Sequence, residues 1–99
     1  MSEKLSLDSV LVLPEHTVSR RVGEETVLLN IRTGAYHGLN GTAARMYEVL
    51  GEVCSIKVAV QQLALEYEVS AELIGDDLLR LCRALADRGL LAIADEQVG

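Results

Sequence analysis

The chain has 99 residues, enough for one domain with a modest core. Apolar residues make up 49 % of it, which argues against disorder, and with no Trp or Phe the core must be built from Leu, Val, Ile and Ala. The formal net charge is −6, the wrong sign for a protein whose main task is to hold a nucleic-acid backbone.

The first ten residues, MSEKLSLDSV, lack the basic region and long apolar run of a signal peptide, and every apolar run is too short to cross a bilayer. A soluble cytoplasmic protein without membrane partners is expected. Val10 to Leu13 are β-prone, and Pro14 would end that stretch or hold it at an edge. Residues 1–15 are expected to form a partly disordered segment ahead of a domain over 16–94, with 95–99 as a tail.

A first strand is predicted over 16–22, with Val18, Arg20 and Val22 on one side. Gly23-Glu24 suits a two-residue turn with glycine first. Over 25–31, Val27, Leu29 and Ile31 alternate with Leu28 and Asn30, the period-2 mark of a second strand. Arg32-Thr33-Gly34 reads as a three-residue loop, with glycine where a left-handed residue is needed. Residues 35–39 return as the third strand of an antiparallel meander. That strand is short and runs straight into a helix, so it can lie at a sheet edge with backbone groups open to a partner.

Three helices are predicted next. The first covers about 42–53, behind the capping residues Asn40 and Thr42, with Ala43, Met46, Tyr47, Leu50 and Cys54 at helical spacing. The second covers 56–67 behind Ser55, with Ile56, Ala59, Val60, Leu63 and Tyr67 inward. The third covers 71–88 behind Ser70, with a stripe of Ile74, Leu78, Leu81, Cys82 and Leu85, and Gly89 stops it. Residues 90–94 leave room for a short strand. The order predicts an α+β, winged-helix-like fold, a three-stranded antiparallel sheet followed by a three-helix cluster.

No catalytic constellation emerges. Cys54 and Cys82 read as small buried hydrophobes, because neither CxxC nor clustered histidine accompanies them, and no metal or cofactor is expected. His16 and His37 lack triad or metal spacing. Asp76 and Asp77 are adjacent, so on a helix they point about 100° apart and would share a substrate atom poorly. They suit a solvated helix face, or a carboxylate that meets a basic side chain of a ligand. Arg80, one turn on, can pair with Asp76. Tyr36 suits cross-strand packing, or the wall of a pocket between the sheet and the third helix. Glycines 34, 38 and 41 lack phosphate-loop spacing.

Two stretches carry a resemblance: LLNIRTGAYHGLNGTAARMYEVL at 28–50 and LALEYEVSAELIGDDLLRLCRALADRGLL at 63–91. Together, in order and over about two thirds of the chain, they resemble the PqqD-like peptide-recognition domains, or RiPP recognition elements. The resemblance implies a non-catalytic, cofactor-free protein that binds the leader region of a ribosomally made precursor peptide. The leader would add as a strand on the third strand, at Ala35, Tyr36, His37, Gly38 and Leu39. It would rest against the third helix at Asp76, Asp77, Arg80, Leu81 and Ala84. The chain would then deliver the precursor to a modifying enzyme, as a monomer or weak dimer. A lasso-peptide pathway with a separate leader protease is favoured. The alternatives are a pyrroloquinoline quinone-type peptide chaperone for a radical enzyme, a winged-helix DNA-binding regulator that reads with its third helix, and an obligate scaffold subunit.

Overall fold

The computed structural model describes residues 5–94 and has the order β1 (Val10–Val12), β2 (Thr17–Val22), β3 (Glu25–Asn30), β4 (Tyr36–Leu39), α1 (Gly41–Val53), α2 (Ile56–Tyr67), α3 (Ala71–Asp87) and β5 (Ala92–Ala94). The fold is α+β, with an antiparallel β2-β3-β4 sheet followed by three helices. β1 and β5 form a second, two-stranded ladder that pairs Leu11 with Ile93. Leu11 is buried, so residues 10–12 are tied to the C-terminal strand and to the core. The expected tail at 95–99 and the first four residues lie outside the described residues.

The turns follow their residues. Val22 pairs with Glu25 across Gly23-Glu24, and Gly23 has φ +64° while Glu24 does not enter the left-handed region, as a type II′ hairpin requires. The β3–β4 loop is one residue longer than predicted. The Asn30 N–H donates to the Ala35 carbonyl at 2.8 Å, so residues 31–34 make the turn and the last strand starts at Tyr36, not Ala35. The reason is a second contact inside the loop: the Gly34 N–H, at φ +83°, donates to the Asn30 carbonyl at 2.7 Å. Asn40, Ser55 and Ser70 cap the three helices, each accepting a backbone N–H three residues on.

The strand alternation is present, and the side that packs inward is the one with fewer apolar residues. Leu28 is fully buried and Asn30 nearly so, while Leu29 and Ile31 are exposed. Leu28 and Leu39 come from the sheet to meet Met46 and Leu50 of α1, Leu63 of α2, and Leu78, Cys82 and Leu85 of α3. The buried core holds no aromatic residue among the described ones, and each fully buried Leu or Ile contributes about 1.5–3 kcal/mol relative to exposure. Cys82 belongs to it as expected, and burial pushes its thiol up to about 12. Cys54 does not. α1 stops at Val53, and Cys54 takes the left-handed cap conformation at φ 55° with its side chain only half-buried. Outside the core, Arg45 clamps α1 to α2 with a two-point contact to Glu66, both at 2.9 Å, and also holds Glu48. This holds the Glu66 carboxyl below the usual range.

Candidate functional site: an open sheet edge beside a helical groove

Among the described residues, β4 has one neighbour in the sheet, β3, so one side of it is open. The register pairs Leu29 with Tyr36, Leu28 with His37, Val27 with Gly38 and Thr26 with Leu39. In an antiparallel ladder, hydrogen-bonded pairs alternate with non-bonded ones. Asn30 and Ala35 are bonded, so Leu28–His37 and Thr26–Leu39 are bonded too. The N–H and C=O groups of Tyr36 and Gly38 therefore point away from the sheet, toward open solvent. His37 and Leu39 have their backbone groups committed to β3, while Ala35 gives β3 its carbonyl and donates its N–H to Thr33 Oγ1 at 3.2 Å.

Next to that edge runs a shallow groove of about 420 Å³, bordered by β4, the start of α1 and one face of α3. This is room for a few side chains rather than for an enclosed small molecule. His37 projects into it from β4, Asn40, Thr42, Ala43 and Met46 from the α1 end, and Asp77, Arg80, Leu81 and Ala84 from α3. The floor is apolar, with Met46 buried and Leu81 and Ala84 half-buried, and the rim is polar. Arg80 donates to Asp77 at 3.0 Å, so it pairs with the second aspartate and not with Asp76. Both aspartates lie about one turn before Arg80, and the contact goes to Asp77, the half-buried one on the groove side. His37 is driven below its ordinary value of 6.5, first by burial and then by the positive charge of Arg88.

The predicted residues thus divide. His37, Asp77, Arg80, Leu81 and Ala84 line the groove, and Tyr36 and Gly38 supply the open backbone. Leu39 lies in the core, and Asp76 is an exposed residue off the groove. Tyr36 does not wall a pocket against α3. At 68 % exposed it stands on the opposite face of the sheet, beside Val18, Val22, Val27 and Leu29, because it is one step out of phase with His37. Asn40, Thr42, Ala43 and Met46 were missed as site residues. A signal for them was present: a helix that starts two residues after an edge strand must bring its first turns alongside that edge.

Among the described residues, no group of three or more His, Cys, Asp or Glu could hold a metal ion, and no helix is long and apolar enough to cross a membrane.

Fold and groove together define a winged-helix-like module with one free sheet edge flanked by a helix. The chain belongs to the PqqD family: the family model described as coenzyme PQQ synthesis protein D matches residues 25–91. Two solved structures are similar over most of their length. One, described as TbiB1 in complex with the TbiA(beta) leader peptide, has 31 % identity and a TM-score of 0.74, covering 85 % of this chain and 98 % of that one. The other, a lasso peptide synthetase B1 complexed with the leader peptide, has 30 % identity and a TM-score of 0.72, covering 82 % and 95 %. No curated protein sequence matches the chain.

Proposed function

We propose that this chain is a non-catalytic recognition element that binds the leader region of a ribosomally made precursor peptide and delivers it to a modifying enzyme of a lasso-peptide pathway. The observation that carries the reading is the coincidence of an open backbone edge and a side-chain groove along the same strand. An extended peptide laid antiparallel on β4 would exchange hydrogen bonds with Tyr36 and Gly38. Its alternate side chains would drop toward Met46, Leu81 and Ala84. Backbone bonds then contribute affinity for any extended chain, and the groove contributes register and selectivity.

Both similar structures are leader-peptide complexes, and one of them is of a lasso peptide synthetase, which supports the same ligand class and a lasso pathway here. The leader protease or cyclase of such a pathway is the partner that the reading assigns. A DNA-binding role is disfavoured by α3 itself. A recognition helix needs a cationic face, yet α3 carries Glu72, Asp76, Asp77 and Asp87 against Arg80, Arg83 and the capping Arg88.

Fluorescence anisotropy with labelled leader peptide and with labelled duplex DNA at low salt tests the reading. Saturable peptide binding without DNA binding is expected. Tight DNA binding with no peptide binding would overturn it.

A further inference from the structure

We infer that Asn30 is a positioning residue for the groove, its carboxamide setting the spacing between the β4 edge and α3. The inference takes the groove's ligand from the reading above, but its geometric content stands without a ligand.

Asn30 is the one buried polar side chain among the described residues, 3 % exposed. Every hydrogen-bonding group of its amide is engaged. Nδ2 donates to the Arg88 carbonyl at 3.2 Å and to the Gly89 carbonyl at 3.3 Å. Oδ1 accepts the Arg32 N–H at 3.0 Å and the Thr33 N–H at 3.3 Å. Two donors and two acceptor sites are all that an amide offers. One half of the side chain therefore shapes the turn that launches β4, and the other half holds carbonyls that the end of α3 leaves without helical partners.

The approach is close enough to restrict the opposite residue. A Cβ on Gly89 would lie 2.8 Å from Nδ2, and Gly89 sits at φ +68°. Two of the three borders of the groove, β4 and α3, meet this clamp at one end. Tyr36 opens β4 just past the turn, and Arg88 follows the groove residue Ala84 by one helical turn. Two other side chains bond near this end. Thr17 Oγ1 donates to the Leu90 carbonyl at 3.2 Å and His16 Nε2 meets the Gly89 carbonyl at 3.0 Å, but both come from the β2 side of the sheet. His16 adds an indirect link, with the Arg32 guanidinium donating to its Nδ1 at 3.4 Å, but Asn30 is the buried side chain that joins the β4 turn to the end of α3 directly.

The test compares Asn30→Asp with Thr17→Val. Aspartate keeps the size and an acceptor for the turn, but it sets a carboxylate oxygen against two carbonyls. Valine removes a neighbouring bond to the same tail and leaves the clamp intact. In peptide-free NMR spectra, Asn30→Asp is expected to move the resonances of His37, Leu81 and Ala84. Shifts confined to residues 30–34 and 88–90 would overturn the inference, whatever the chain binds.

With the leader peptide of the chain's own precursor, Asn30→Asp should lower affinity about tenfold, at a temperature where circular dichroism shows it folded. Trimming groove-facing peptide side chains to Ala should cost less in Asn30→Asp than in the unaltered protein. Thr17→Val should lose stability but keep affinity and that selectivity. Equal affinity of Asn30→Asp and the unaltered protein would overturn the inference. So would affinities of the two variants that fall in step with their stabilities. If the unaltered protein fails to bind the peptide, the functional reading falls, and the NMR comparison alone decides the role of Asn30.

Discussion

One imidazole gives the groove a pH dependence. His37 is held below 6.5 by burial, reinforced by Arg88, so the folded chain favours its neutral form. Between the folded value and 6.5 the unfolded chain binds more protons. This contribution to stability is thus present above 6.5 and is lost as pH falls through the folded value. A peptide that covers the groove would bury the ring further and push in the same direction. Leader affinity is expected to fall from pH 7.5 to 5.5, and His37→Gln should flatten the profile. A profile that His37→Gln leaves unchanged would remove the imidazole from the site. At the other end of the clamp, Gly89→Ala should destabilise the fold by about 2 kcal/mol or more, through left-handed strain and displacement of the Asn30 amide. Urea unfolding measures this, and an unshifted midpoint would contradict the described contact.

At the scale of elements, the ladder alternation separates neighbouring residues of β4. The His37 N–H bonds to β3, so His37→Pro should damage the fold itself. The Gly38 N–H faces the open edge, and its φ is not left-handed, so Gly38→Pro should leave the circular dichroism spectrum intact while weakening peptide binding about tenfold. Intact binding by folded Gly38→Pro would rule out strand addition at this edge. The same alternation distinguishes the two faces of β3. Leu28→Ala should cost about 2–5 kcal/mol, and Leu29→Ala a small fraction of that, because only Leu28 is buried. On α3, Asp77→Lys removes the acceptor of Arg80 and sets two cations side by side. If a basic leader residue docks there, binding should weaken severalfold at low salt, since an exposed pair is worth about 0.2–1 kcal/mol. The effect should fade at high salt; a salt-independent loss would indicate a disturbed helix instead.

At the scale of the whole molecule, the proposed function is a matter of effective concentration. A chain that holds the leader and also meets the enzyme turns an encounter into an intramolecular step, worth about 10²-fold or more in apparent affinity without any change in chemistry. Adding it should speed processing of a full-length precursor by its partner enzyme and leave a leaderless core peptide unaffected. Mass spectrometry of a reconstituted mixture reads both. Equal stimulation of the leaderless substrate would mean that the chain activates the enzyme directly.

Local chemistry made much of this protein legible. Gly23 and Gly34 marked the turns because each has positive φ, and Ser55 and Ser70 marked helix starts because their hydroxyls accept the N–H three residues on. Helical spacing identified Ile74, Leu78, Cys82 and Leu85 as core. The quoted segments at 28–50 and 63–91 carried the family resemblance, from which came the groove residues of α3. What the sequence could not decide was set by contacts between distant segments. Period-2 alternation shows that a strand has two faces, but the helices decide which is covered, and they cover Leu28 and Asn30 rather than Val27, Leu29 and Ile31. That choice turned Tyr36 away from α3 and His37 toward it. The chain alone did not show which β4 amides are free, because a donor's direction depends on the register with β3. Nor did it show the clamp between Asn30 and Gly89, 59 residues apart, since a buried amide looks like any strand asparagine until the end of α3 is laid against it.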